Sequence, residues 1–312
     1  MNKYCSIVIP VYNSEGNLEI LSKKIEGVFQ QINKKYEIIF VNDFSQDSSW
    51  LIIEELSKGN KNIKGINLRR NFGQDSALMA GLKYVSGEYI IIMDDDLQHN
   101  PDDIPSLIRE LEKGFDVCYA LFKNKNQTLL KNFGSWFNGK VANIMINKPK
   151  EIYLSPFKAF KAEIAKELFT YDGPYPYLDG FIFRTTRNIT QIPIQHLVRY
   201  SGIGNYNLTK SIKVWLKLFT NFSVKPLRIA TYCGFISATI GFIIGMYFIL
   251  KSILGEVSPG GWASTITIVI FLGGVQLITL GMIGEYIGRM FLYINKSPQY
   301  IIKDKINLNI ED

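Results

Sequence analysis

Two long stretches without a charged residue, Ile229 to Leu250 and Trp262 to Gly284, stand in the last third of the chain. At about 1.5 Å of rise per residue, a helix over either one covers the roughly 30 Å hydrocarbon core of a bilayer. Two buried helices of a large soluble core are the alternative. The 312 residues exceed the usual size of a single core, and the apolar residues are unevenly spread. The chain therefore reads as one soluble domain of about 200 residues joined to a membrane hairpin.

Basic residues orient the hairpin when counted close to the spans. Lys213, Lys217, Lys225 and Arg228 precede the first stretch, and Arg289, Lys296, Lys303 and Lys305 follow the second. The connection offers only Lys251 against Glu256. Both ends are expected in the cytoplasm, with the soluble domain on the inner leaflet. The formal charge of +7 points to anionic lipid head groups and phosphorylated substrates, because no nucleic-acid module pattern accompanies it. Cys5, Cys118 and Cys233 are odd in number and scattered through apolar contexts, so neither a disulfide framework nor a zinc site is indicated. His99 and His196 are too isolated to form a metal site on their own.

Ahead of the hairpin, short β-rich runs alternate with helical stretches. The runs are Ser6 to Val11, Glu37 to Val41, Ile63 to Leu68, Tyr89 to Met93 and Asp116 to Ala120; the helical segments are Glu15 to Ile32, Gln46 to Ser57, Gln74 to Val85 and Pro101 to Lys113. This alternation predicts βα units on a largely parallel sheet. Ligands bind beyond the carboxyl ends of such strands, so the loops after each run are where a site is expected. Two further segments carry apolar residues at helical spacing with lysines among them. In 127–145, Leu129, Phe133, Trp136, Phe137 and Val141 accompany Lys131 and Lys140; Leu208 to Phe222 carries Trp215, Phe219 and Lys217. Core packing explains the first as well as a membrane surface does, while the second leads into the hairpin and fits the interface.

The fourth loop holds Asp94, Asp95 and Asp96. Three adjacent acids repel one another unless a hard cation shares them, and the Asp94/Asp96 spacing lets two carboxylates face one ion that can grip a diphosphate. A solvated acidic turn is the alternative for this motif alone. Polar loops after all four strands favour a nucleotide site.

Taken together, SIVIPVYNSEGNL, VNDFSQDSS, LRRNFGQDSALMAGL, MDDDLQHNP and the GEYIGR exit resemble a family-2 glycosyltransferase of the polyprenyl-phosphate group, which includes dolichol-phosphate mannose synthases and bactoprenol glucosyltransferases. The resemblance implies an α/β fold of the GT-A, Rossmann-like kind, with interfacial helices and a two-helix transmembrane hairpin. The expected division is a cytoplasmic GT-A domain over 1–206, including the interfacial segment 127–145, a juxtamembrane amphipathic helix over 207–225, the hairpin over 226–288 and a cytoplasmic tail over 289–312. It further implies inverting transfer of one sugar from a nucleotide-diphosphate sugar, a UDP-sugar before a GDP-sugar, to a polyprenyl phosphate such as undecaprenyl phosphate, with a divalent cation, Mg2+ or Mn2+. Oligomeric state stays open.

By the same resemblance Asp94, Asp96 and Gln98 would hold the metal, and Pro10, Tyr12, Asn13, Glu15 and Asp43 would border the nucleotide. Gly73 and Gln74 would admit the diphosphate. Asp95 stands where relatives often carry alanine, so the motif leaves its part open between binding and reinforcing the acidic field, and Lys131 is a further cation expected in the binding set behind Lys158 and Arg199. Asn42 stands where relatives often carry another aspartate. Relatives also carry a carboxylate before a phenylalanine-arginine pair, whereas this chain reads Ser155-Pro156-Phe157-Lys158. A phosphate monoester acceptor, with a second pKa of about 6, needs little general-base help. Lys158 and Arg199 are then the expected catalytic cations. Transfer to a lipid-linked oligosaccharide, or a silent subunit that binds a nucleotide sugar, are the rival readings.

Overall fold

The computed structural model describes residues 3–122, 149, 151–171, 173–194, 225–254 and 261–308. The chain divides into two units, Met1–Ser211 with Lys296–Asp312, and Ile212–Asn295. The first is built on strands β1 (Lys3–Val11), β2 (Tyr36–Asn42), β3 (Ile63–Leu68), β4 (Gly87–Ile92), β5 (Val117–Phe122), β6 (Lys158–Lys161), β7 (Ile189–Ile194) and β8 (Ile302–Ile306). Its helices are α1 (Leu18–Gln31), α2 (Ser49–Gly59), α3 (Gln74–Leu82), α4 (Ile104–Glu112), entered through a 3-10 turn at Pro101–Asp103, α5 (Ala162–Leu168) and α6 (Leu178–Thr185).

All five expected strands and all four expected helices form, with ends shifted by a few residues. All seven residues of β2 are buried, as a strand covered on both faces requires. Helix α1 turns Leu18, Leu21, Ile25, Val28 and Phe29 inward, an apolar stripe at helical spacing. Helix α3 lies so close to the sheet that a Cβ on Gly81 would stand 2.5 Å from Val8 Cγ1 and 2.8 Å from Val41 Cγ2. Glycine there is a packing requirement.

The strand order is β7-β5-β6-β4-β1-β2-β3-β8. Strands β1 to β4 are mutually parallel where they pair. The chain runs outward from β1 through β2 to β3 and then crosses back to place β4 on β1's other side, which makes the β1/β4 boundary a topological switch point. The sheet is more mixed than the alternation predicts, because β6 pairs antiparallel with both β4 and β5. Its four residues, Lys-Ala-Phe-Lys, are too few to register as a buried run.

The sheet's other edge corrects the reading of 289–312 as a tail. There β8 pairs antiparallel with β3. The segment Ile302-Lys303-Asp304-Lys305-Ile306 carries more charge than a buried strand tolerates, and edge strands accept charge readily.

In the second unit α7 (Lys225–Ile253) and α8 (Trp262–Ile294) leave large apolar side chains such as Phe235, Phe242, Phe271 and Leu277 exposed. Within α8, Phe271–Ile294 is long and apolar enough to cross a membrane; in α7 the apolar stretch Ala230–Ile244 is shorter. Helix α8 continues past the expected end of the hairpin at 288. An ion pair of 2.7 Å between Glu285 and Arg289, four residues apart, carries the helix through its first charges. The segments 127–145 and 207–224 lie outside the described residues.

Candidate active site

At the carboxyl ends of β1 to β4 the loops enclose a cleft of about 320 Å³ lined by Pro10, Val11, Tyr12, Asp43, Asn71, Gly73, Gln74, Asp94, Asp95 and Asp96. That volume falls at the lower end of small-molecule sites. Eight of the residues singled out from sequence thus converge, joined by Val11 and Asn71. Asn71 carried a signal in its polar loop; Val11 reads as plain strand.

Backbone hydrogen bonds explain how the loops are held. Both carboxylate oxygens of Asp43 are engaged, accepting from the N–H of Phe72 at 2.7 Å and of Gly73 at 2.8 Å. Burial pushes the Asp43 carboxyl up from its usual range, while these two donors pull it back. Gly73 itself sits at φ 89°, open to glycine and strained for any residue with a Cβ. Asp95, whose part the motif left open, accepts the Tyr12 N–H at 3.2 Å and so ties the first loop to the fourth. Asn13, Phe44 and Leu97 take left-handed backbone at φ 54°, 63° and 60°. Strain of this kind persists where the surroundings over-determine a functional loop.

Four expected site residues lie elsewhere. Asn13 and Glu15 brace the loops: Asn13 Oδ1 accepts the Gln46 N–H at 2.8 Å, and Glu15 Oε2 accepts the Ser48 N–H at 2.9 Å. Gln98 donates its backbone N–H to Asp96 at 3.1 Å, while its side chain is not among those lining the cleft. Lys158 departs furthest from expectation. It is buried and paired with Asp179 of α6, which also accepts the Tyr119 hydroxyl at 2.8 Å. Its charge is paired inside the protein and also acts on Asp94. Ser155 Oγ, where relatives carry a carboxylate, accepts the Phe157 N–H at 3.2 Å. Lys131 and Arg199 lie outside the described residues.

The acidic trio is electrostatically loaded. Burial, then repulsion from Asp96 and Asp95, pushes the Asp94 carboxyl up to about 7; Lys158 and the Gln74 side chain oppose the shift. Gln74 Nε2 donates to Asp94 Oδ1 at 2.8 Å. Asp95 rises to about 6, chiefly through burial. His99, stacked between Phe122 and Phe157, accepts the Asp94 N–H on Nδ1 at 3.1 Å and fixes the turn from beneath.

Among the described residues no three His, Cys, Asp or Glu side chains form a ready metal cage. That is compatible with a magnesium-like ion, which is commonly held by one or two carboxylates plus substrate phosphates. Asp94 and Asp96, half-buried and mutually repelling, fit that part.

A pH dependence follows. The folded protein holds the Asp94 and Asp95 protons more tightly than the unfolded chain, whose aspartates titrate near 3.8. Metal-free protein should therefore lose stability as pH rises from about 4 to about 7. Added Mn2+ should offset that loss. Thermal unfolding in chelator and in Mn2+ across this range tests both statements; a chelated protein whose stability does not fall would contradict the crowding of these acids.

The family description "Glycosyl transferase family 2" matches residues 6–169, more than half of the chain. The chain belongs to glycosyltransferase family 2. A second description, "GtrB C-terminal hairpin", matches residues 225–290. Among relatives of this family-2 protein, an uncharacterised glycosyltransferase of Synechocystis sp. is 33% identical, with 96% of this chain and 94% of the relative covered. The undecaprenyl-phosphate 4-deoxy-4-formamido-L-arabinose transferase of Yersinia enterocolitica is 32% identical over 96% of this chain and 93% of its own. Among solved structures, glucosyl-3-phosphoglycerate synthase of Mycobacterium tuberculosis, in complex with Mn2+, UDP and phosphoglyceric acid, aligns at a TM-score of 0.53 and 17% identity, over 71% of this chain and 79% of that one. This likeness establishes the GT-A fold.

Proposed function

We propose that this family-2 glycosyltransferase is membrane-anchored and inverting, moving one sugar from a nucleotide-diphosphate sugar to a polyprenyl phosphate, undecaprenyl phosphate in particular, at the cytoplasmic leaflet. The observation that carries the proposal is an acidic trio at the carboxyl end of a parallel strand, in a cleft whose loops are cross-tied by carboxylates, on a chain that also holds an apolar helix of membrane length. Relatives named as undecaprenyl-phosphate transferases match along nearly their whole length, which supports this acceptor. The Mn2+ and UDP of the structural neighbours support a UDP-sugar donor with Mn2+ or Mg2+.

The chemistry asks little of the protein as a base. The acceptor phosphate, largely a dianion above its second pKa of about 6, attacks the anomeric carbon as the bond to the diphosphate breaks and the nucleoside diphosphate leaves with the electron pair. Attack from the face opposite the leaving group gives a β-linked product from an α-linked donor. Asp43 holds the Phe72–Gly73 backbone in place, Gly73 leaves room for close approach, and Gln74 orients Asp94. A divalent ion held by Asp94 and Asp96 would neutralise charge on the departing diphosphate.

Incubating purified protein with a panel of nucleotide sugars, undecaprenyl phosphate and Mn2+, and identifying lipid product by mass spectrometry, tests the proposal. Donor hydrolysis or lipid product supports an active transferase. Donor binding without turnover of any panel member would favour a silent subunit.

The hairpin reading has separate support. Strands β3 and β8 are neighbours in one sheet, so the chain leaves and rejoins the same unit around its apolar helices. A crossing number that is odd would put those two strands on opposite sides of the membrane. We therefore expect two crossings, with the soluble unit in the cytoplasm. In a Cys233→Ser background, a cysteine at Ser258 should react with an impermeant thiol reagent on intact cells, and one at Asn309 should not. The reverse labelling would overturn the orientation.

A further inference from the structure

A row of polar side chains crosses the sheet from its last strand to the donor cleft. Asn42 on β2 stands in register with Asn67 on β3, and Asn67 with Asp304 on β8. Asn67 donates its amide N–H to Asp304 Oδ2 at 2.9 Å, and Asn42 donates to Asn67 Oδ1 at 2.9 Å. Asn42 Oδ1 in turn accepts the Ser45 N–H at 3.2 Å, within the loop that carries Asp43. Asn42 and Asn67 are both buried.

The direction of this row is set at its outer end. A carboxylate only accepts hydrogen bonds, so Asp304 makes Asn67 present its N–H group outward and its carbonyl inward. The inward carbonyl makes Asn42 present its own N–H group to Asn67. Asn42 is left with its oxygen facing Ser45, which closes the turn beside Asp43. A backbone bond adds to this from the same strand end: the Ile301 carbonyl accepts the Arg69 N–H at 2.9 Å and fixes the start of the loop whose end Asp43 holds. Further along, Asn307 Nδ2 donates to the carbonyls of Ser57 at 2.6 Å and Ile63 at 2.9 Å, anchoring the strand's far end. Lys303 Nζ stands 3.8 Å from Asp304 and leaves its acceptor character intact.

We propose that Asp304 is a positioning residue for the nucleotide donor, acting through Asn67 and Asn42 on the two loops that Asp43 joins. The segment after the membrane hairpin thus sets the shape of the donor cleft at the opposite edge of β3. This rests on the reading of the cleft as a nucleotide-diphosphate site.

The test uses full-length protein in detergent, with UDP and Mn2+ as the titrated probe in calorimetry and thermal unfolding alongside. Asp304→Ala should weaken UDP binding about tenfold, the scale of one hydrogen bond to a charged group. Asn67→Asp, which sets two carboxylates against each other, should weaken it more. Exchanging the pair, Asn67→Asp with Asp304→Asn, restores one donor facing one acceptor and keeps Asn42 in its orientation; it should bring binding back to within about twofold of wild type. In turnover assays the single variants should raise the donor KM and leave the undecaprenyl phosphate KM unchanged. If wild type binds neither UDP nor GDP with Mn2+, the donor-site reading itself fails. If wild type binds and Asp304→Ala binds equally well, or the exchanged pair stays as weak as Asn67→Asp, the positioning role fails. Equal loss for donor and lipid with a lowered unfolding midpoint would mark the row as structural only.

Discussion

Changing Asp96 to asparagine should lower sugar transfer by about 10²- to 10³-fold while leaving the protein folded. Two unit charges about 4 Å apart interact by roughly 4 kcal/mol at an effective dielectric of about 20, and each 1.4 kcal/mol is about a factor of ten. An amide retains the shape of the carboxylate and loses that charge. The fold should tolerate the change: burial first, and then Asp96, push the Asp94 carboxyl up to about 7, so removing the Asp96 charge lowers Asp94 part of the way and relieves repulsion. Initial rates with excess Mn2+, together with the unfolding midpoint in chelator above pH 7, check both halves. Near-normal turnover, or a variant less stable than wild type without metal, would contradict the assignment of Asp96 to a metal-binding pair.

Changing Lys158 to alanine should act mainly on stability. The pair with Asp179 is enclosed, with side-chain exposures of 4% and 16%, and the Tyr119 ring lies 5.2 Å below the ammonium group. Removing one partner of a buried pair strands the other charge, a loss of about 3–5 kcal/mol. The cation also draws the Asp94 carboxyl down, so its removal pushes that group above about 7. Replacing both partners, Lys158→Met with Asp179→Leu, should recover much of the lost stability. Thermal unfolding of the single and double variants decides the matter. A single variant that unfolds normally and changes only the lipid KM would return Lys158 to the acceptor site.

Lys158 also illustrates where sequence reading stops. Its position beside Phe157 matched a motif, but the partner that decides its role lies 21 residues later on α6, and nothing local to either residue announces the pairing. Asp43, Gly73 and the acidic trio were legible because a polar loop directly after an apolar strand has one place to go in a parallel sheet. Asn13 and Glu15 stand in equally polar loops and turn instead onto Gln46 and Ser48. That choice depends on the path of the backbone, including the left-handed residues Asn13 and Phe44, which composition does not reveal. The inner strands were visible as apolar runs; β8 was not, since Lys303, Asp304 and Lys305 interrupt its apolar pattern and its neighbour β3 lies on the far side of the hairpin in sequence.

That last strand gives the protein an order of assembly. Residues 302–306 leave the ribosome after the hairpin, at a synthesis rate of about 5–20 residues per second, so β3 stays an uncovered edge until the apolar helices have been made. The sheet of the first unit is therefore completed only after both apolar helices have been translated. Nascent chains that end before residue 302 should lack the last strand of the sheet and the Asp304 contact to Asn67.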